Sequence, residues 1–217
     1  MQVIGHPFLF DFDGVLADSE GIHLDAWKYA FEACFKRSCE NNILSRQKGR
    51  STEAIARNLC QYAEKPYERG TLIQAKLESL IALSADVPLY PGALELLNCL
   101  RTNKIPFGIV SNSPRKFLEA CVSQKSIPCD FFLGLENYRN PKPHPEPYLL
   151  GAEKLQLANP EQKSNIVVCE DSPHGIRSAK SAGMMCIGVK TIQQEDILMK
   201  AGADFTVNTV EDLLPLV

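Results

Sequence analysis

The chain has 217 residues, 45% of them apolar and 23% charged, with a formal net charge of −3. That composition supports one sizeable core with room for a small second domain and argues against wholesale disorder. Mild acidity without a long basic run leaves no electrostatic footprint for nucleic acid or an anionic membrane, so any anion site must concentrate its positive charge locally.

The eight cysteines include no CxxC pair, which disfavours zinc. Cys169 and Cys186 lie in strand-like runs, and Cys34, Cys60, Cys99 and Cys121 lie on helical patterns. Buried thiols in a reducing cytoplasm are therefore expected rather than disulfides. Asp11 and Asp13 would break the apolar part of a signal peptide, and no apolar run approaches the ~20 residues of a membrane span.

In chain order, Phe8-Leu9-Phe10 predicts a short first strand. Residues 19–87 contain no convincing strand. Ile22, Ala26, Tyr29 and Ala33 form one helical stripe; Ile55, Leu59 and Tyr62 form a second; Leu72, Ile73, Leu77, Leu80 and Ile81 form a third. After Pro91-Gly92, Leu94, Leu97 and Leu100 recur at helical spacing, followed by a strand at 106–110. Ser113-Pro114 reads as the N-cap and first residue of a helix carrying Phe117 and Cys121, and 131–133 reads as another strand. Pro141-Lys142-Pro143-His144-Pro145-Glu146-Pro147 predicts a stiff extended segment. A strand at 166–169 leads to Ser172-Pro173, a second capped helix start with Ile176 and Ala179 inside and Gly183 at its C′ position. Strands at 185–189 and 205–207 complete the pattern. The alternation predicts an α/β fold: a doubly wound parallel sheet built from residues 1–18 and 88–217, with a helical cap domain inserted at 19–87.

Four strand ends carry candidate chemistry. Asp11-Phe12-Asp13-Gly14 follows the first strand, where residues i and i+2 share a face, so both carboxylates project together while Phe12 packs the other way. Their repulsion calls for Mg²⁺ or a raised pKa; the plainer alternative is a turn or capping pair. Ser111-Asn112-Ser113 offers a hydroxyl and helix-start N–H groups to a phosphate oxygen, with Ser113 also suited to capping. Lys142, held between prolines, loses little entropy on meeting an anion, although alone it also reads as a surface lysine. Glu170-Asp171 closes the fourth candidate; with Asp11 these carboxylates suit Mg²⁺, and otherwise they suit capping at Ser172.

Taken together, Asp11-Phe12-Asp13-Gly14-Val15, Ser111, Lys142 and Glu170-Asp171, in that order, resemble the haloacid dehalogenase superfamily of phosphotransferases. Asp13-Gly14-Val15-Leu16-Ala17-Asp18-Ser19 and Glu170-Asp171-Ser172-Pro173-His174-Gly175 are most similar to its β-phosphoglucomutase-like branch. The resemblance implies that Asp11 attacks phosphorus and forms an aspartyl-phosphate, and that Asp13 acts as acid and then base. It implies that Ser111 and Lys142 stabilise the transferring oxygens, and that Asp11, Asp13 (through its carbonyl), Glu170 and Asp171 hold Mg²⁺. It further implies that the helical insert sets substrate choice. His23 and Trp27 match the branch's pattern, and Arg50 and Lys76 join Ser111, Asn112 and Lys142 as expected substrate-binding residues.

One departure bears on the choice between activities. The mutase resembles Gly-x-x-Arg at the start of the next cap helix, where the arginine grips a second phosphate. This chain has Gly49-Arg50-Ser51-Thr52, placing Thr52 there. A phosphatase of a small phosphorylated metabolite, a sugar phosphate first, is therefore favoured over a hexose-phosphate mutase and over a silent phosphometabolite-binding protein. A dehalogenase needs no Mg²⁺ and would leave Asp13 and Glu170-Asp171 without purpose. A cytoplasmic monomer or weak homodimer is expected, with no nucleic-acid or membrane partner.

Overall fold

The structure, a computed structural model, describes residues 5–47, 50–66 and 68–217. The chain divides into two compact units, Met1–Asp18 with Pro88–Val217, and Ser19–Val87. Strand β1 (Phe8–Phe10) precedes the helical unit, which contains α1 (Glu20–Phe35), α2 (Asn41–Ser45), α3 (Thr52–Tyr62) and α4 (Arg69–Ala82). The α/β unit resumes with α5 (Ala93–Thr102), β2 (Phe107–Val110), α6 (Arg115–Gln124), β3 (Phe131–Leu133) and α7 (Glu146–Lys154). It ends with α8 (Pro160–Lys163), β4 (Val167–Glu170), α9 (Pro173–Ser181), β5 (Met185–Val189), α10 (Glu195–Ala201) and β6 (Phe205–Val207).

The strands form one six-stranded sheet in the order β3-β2-β1-β4-β5-β6, every pair parallel. The chain runs outward from β1 in one direction and returns to its other side at β4. That reversal is a topological switch point, and in open α/β sheets ligands bind beyond the carboxyl ends of the strands there. β1 is buried on both faces, which is why its sequence is a continuous apolar run. Leu9 joins the cluster of Val110, Tyr148, Val168 and Ile176. Phe8 and Phe10 point to the opposite face, stacked with ring centroids 5.5 Å apart, and Phe10 meets Phe107 edge-on. Each such fully buried ring contributes about 1.5–3 kcal/mol, so the strand carrying the site is anchored on both sides.

In the helical unit, α1 buries Ala26, Trp27, Ala30 and Phe31. The stripe expected through Tyr29 and Ala33 is rotated: Tyr29 is 51% exposed, because Trp27 and Phe31 offer more apolar area to the core of this unit. On α4 the buried side chains are Leu72, Lys76 and Leu80, at i, i+4 and i+8, so a lysine occupies a core position. No disulfide joins the eight cysteines; Cys34, Cys99 and Cys129 are half-buried and the other five are buried. No helix among the described residues is long and apolar enough to cross a membrane.

Candidate active site

The first functional segment leaves β1 at Asp11, whose N–H donates to the Cys169 carbonyl at 3.0 Å and so extends the ladder one residue past the strand. Phe12 is fully buried against Phe117. The chain then turns sharply: Leu16 N–H and Ala17 N–H donate to the Phe12 carbonyl, and Gly14 N–H donates to that of Ala17. Gly14 has φ +80°, and a Cβ there would lie 2.2 Å from Oδ2 of Asp171. Glycine is thus required both by the left-handed backbone and by the closeness of a carboxylate. The Thr191 hydroxyl, from the turn after β5, donates to the Gly14 carbonyl and pins the turn.

Lys142 is the hub of the site. Its Nζ donates to Asp11 Oδ1 at 2.9 Å, Glu170 Oε1 at 2.7 Å and the Val110 carbonyl at 2.7 Å, and it lies 4.8 Å from the Tyr148 ring centroid. All three ammonium protons have acceptors, which is how a buried lysine stays charged. Burial alone would lower its pKa, but the carboxylates of Asp11 and Glu170 outweigh that and hold it above the ordinary lysine range. Glu170, fully buried, is itself fixed: the Tyr148 hydroxyl donates to Oε1 at 2.7 Å and the Ser172 hydroxyl to Oε2 at 3.1 Å. The Ser172 hydroxyl also accepts the Gly175 N–H, so the cap of α9 and the orientation of Glu170 depend on one side chain.

Carboxylate oxygens of Asp11, Glu170 and Asp171 lie within 4.8 Å of one another, opposed among the described residues by the ammonium of Lys142. Burial, only partly offset by Lys142, pushes Asp11 up to about 8, with Glu170 and Asp13 adding to the rise. Asp171 is raised well above its ordinary value by burial and by Asp11 and Glu170. Three clustered carboxylates with one counter-charge are the donor set of a hard divalent cation, which takes carboxylate oxygens and relieves this kind of repulsion. The residues fit Mg²⁺ on charge, donor type and spacing.

Ser111 is buried; its hydroxyl donates to Asp13 Oδ2 at 3.0 Å and accepts the Ser113 N–H. Ser113 does not cap α6 as expected. Its hydroxyl donates to the same Asp13 oxygen at 2.6 Å, and the helix begins after Pro114. Asn112, expected among the substrate ligands, turns both ends of its amide to the Lys142 backbone: Nδ2 donates to the carbonyl at 3.3 Å and Oδ1 accepts the N–H at 3.2 Å. The proline segment is not extended throughout. His144 N–H donates to the Pro141 carbonyl across a turn with a cis Lys142–Pro143 bond, and Pro145 and Pro147 open α7. Proline suits a helix start as well as an extended chain, and here tertiary contacts choose.

Within the helical unit, the Lys76 ammonium lies 3.2 Å from His23 Nδ1 and 5.7 Å from the Trp27 ring centroid. An ammonium only donates, so Nδ1 is the acceptor in this contact. Trp27 is 3% exposed and part of this unit's core, where its size outweighs any role as an open binding surface. Arg50 is exposed and its Nε donates to the Arg46 carbonyl; Gly49, the start of its motif, lies outside the described residues. Tyr138 and Tyr148 carry no site signal in the sequence, and Ser172 and Gly175 stand out there only as a helix cap and as part of a motif. A tyrosine in Pro-Tyr-Leu-Leu looks like core, and only the fold shows its hydroxyl meeting Glu170.

The validoxylamine A 7'-phosphate phosphatase of Streptomyces hygroscopicus subsp. limoneus is 29% identical over 196 residues, covering 89% of this chain and 89% of its own. Glycerol-1-phosphate phosphohydrolase 2 of Saccharomyces cerevisiae is 30% identical over 217 residues, covering 94% and 82%. The crystal structure of a putative β-phosphoglucomutase from Thermotoga maritima superposes with a TM-score of 0.80 at 24% identity over 97% of both chains, which speaks for a shared fold. A family model described as haloacid dehalogenase-like hydrolase matches residues 8–189. With the family model spanning most of the chain and the sheet's switch point carrying the paired-carboxylate turn, the chain belongs to the haloacid dehalogenase-like hydrolases.

Proposed function

We propose that this protein is a Mg²⁺-dependent phosphatase that hydrolyses a small phosphorylated metabolite, a sugar or polyol phosphate, through an aspartyl-phosphate. The observation that carries this reading is the chain of contacts from Asp11 through Lys142 to Glu170, with Asp171 beside it, at the carboxyl edge of adjacent strands. Both curated relatives described above are named as enzymes that remove phosphate from small hydroxylated molecules, which supports the same class here.

Asp11 is the nucleophile. Its buried carboxylate, oriented through Oδ1 by Lys142, attacks phosphorus as the bond to the leaving oxygen breaks. Asp13, reached by the Ser111 and Ser113 hydroxyls, gives a proton to the leaving oxygen and then takes one from the water that hydrolyses the intermediate. Ser111 and Lys142 hold charge on the transferring oxygens. Mg²⁺, held by Asp11, Asp171, Glu170 and the Asp13 carbonyl, would supply the positive charge that lets an anionic carboxylate meet an anionic phosphate. His23 and Lys76, a polar pair inside the helical unit, are the side chains assigned to substrate choice.

Asp11→Asn is expected to fold and to lose at least about 10³-fold in phosphate release across a panel of phosphorylated metabolites. Turnover like that of wild type would reject the nucleophile. The mutase reading is separated by offering β-glucose 1-phosphate with a bisphosphate primer: glucose 6-phosphate appearing faster than free phosphate would favour it. Mg²⁺-dependent hydrolysis of p-nitrophenyl phosphate would dispose of a silent binding protein.

A further inference from the structure

Lys142 is delivered by a loop, and a catalytic ammonium on a loop needs a frame. Part of that frame is internal: the Glu146 carboxylate accepts the N–H groups of Arg139 at 2.8 Å and Asn140 at 3.1 Å, and the Asn140 side-chain amide at 2.8 Å. The external part is the Asn112 amide, bonded to both backbone groups of Lys142. Those two bonds fix the amide's orientation, since a flipped amide would face donor to donor and acceptor to acceptor. Tyr138, buried and four residues before Lys142, sends its hydroxyl to the Ser111 carbonyl and lies 3.1 Å from Asn112 Oδ1. Both neighbours are acceptors, so the one phenolic proton is shared between them. A single hydroxyl thus ties the loop carrying Lys142 to the two residues that follow β2.

We infer that Tyr138 is a positioning residue. Its hydroxyl locks the Asn112 amide and the Ser111 carbonyl together, so that the Lys142 ammonium and the Ser111 hydroxyl are presented as one rigid frame. The inference rests on the phosphatase reading for its effect on turnover, but the frame itself is a property of the folded chain. Small displacements of charge-stabilising groups act mainly on the transition state rather than on substrate binding.

The test is a double-mutant cycle of Tyr138→Phe and Asn112→Ala, assayed with p-nitrophenyl phosphate and Mg²⁺. It is joined by ¹⁵N NMR of the Lys142 ammonium in protein without substrate. Tyr138→Phe keeps the ring and removes only the hydroxyl. It is expected to lower kcat about ten-fold with KM within about two-fold, and to speed ammonium proton exchange. The double variant is expected to be no slower than Asn112→Ala alone, because both changes release the same frame. A kcat per folded molecule within about two-fold of wild type, or losses that multiply, overturns the inference even if the melting temperature falls. If the wild-type protein releases no phosphate from any substrate, the phosphatase reading fails while the NMR comparison still judges the frame. Unchanged exchange in Tyr138→Phe would then refute it.

Discussion

Gly175→Ala pits a local rule against the tertiary structure. Gly175 lies in the first turn of α9, where alanine is ordinarily worth up to about 1 kcal/mol more than glycine. Here an added Cβ would lie 1.8 Å from Cδ and Oε1 of Glu170 and 2.1 Å from Oε2. The obstacle is a fully buried carboxylate held by Lys142 at 2.7 Å, Tyr148 at 2.7 Å and Ser172 at 3.1 Å, so it cannot swing aside while keeping those bonds. Restoring ordinary contact distance moves it by more than an ångström and breaks the bonds to Lys142 and Tyr148. Disrupting a buried, charge-assisted pair of this kind costs about 3–5 kcal/mol. After the helix-propensity gain, the variant should be about 2–4 kcal/mol less stable than wild type, and it should lose turnover because Lys142 loses an anchor. Urea unfolding followed by far-UV circular dichroism measures this directly. Gly70→Ala in α4 is the control: a Cβ there meets nothing within 4 Å, so that variant should be neutral or up to about 1 kcal/mol more stable. If Gly175→Ala matched or exceeded wild type in stability, the close approach of α9 to Glu170 would be wrong, and with it the anchoring of Lys142.

Two further outcomes follow from the charges. The metal-free Asp11 carboxyl is pushed up to about 8 from an ordinary 3.8, so between those values the folded protein keeps a proton that the unfolded chain has released. Metal-free stability should therefore fall as pH rises through that window, and Mg²⁺, which must displace protons from Asp11 and Asp171, should bind more tightly with rising pH. Thermal unfolding with and without Mg²⁺ at pH 6, 7 and 8 checks this, and an equal Mg²⁺-induced shift at all three would contradict it. Lys142→Met leaves Asp11 and Glu170 without their shared cation; at pH 8 without metal it should cost about 3–5 kcal/mol, part of it recovered at pH 5 as carboxyls take protons, and with metal kcat should fall at least about 10²-fold. Denaturation midpoints at the two pH values and a turnover assay test both halves.

The strands were legible because a parallel sheet buried on both faces must be written in short unbroken apolar runs, and Phe8-Leu9-Phe10 is one. Asp11 and Asp13 were legible because two carboxylates straight after such a run have no packing use. Less legible was the direction of side chains with two good options. Ser113 beside Pro114 carries a helix-cap signature, yet its hydroxyl finds the Asp13 carboxylate, a charged acceptor stronger than a backbone amide. Tyr29 and Trp27 both fit an apolar stripe, and the larger indole wins the interior. Asn112 looked free to meet a ligand until the Lys142 backbone arrived from thirty residues away.

By itself the sequence determined what kinds of groups stand at each strand end, because strand periodicity and chain order dictate which side chains leave the sheet at its carboxyl edge. It also determined the family, since the paired carboxylates, the serine, the lysine and the Glu-Asp pair recur in a fixed order. The tertiary structure alone decided how those groups are held: that one ammonium serves Asp11 and Glu170 together, that Tyr148 and Ser172 orient Glu170, and that Tyr138 joins the Ser111 and Lys142 loops. Hydrogen bonds form between atoms within about 3 Å whatever their separation along the chain, and that proximity is set by packing, which no local pattern of residues encodes.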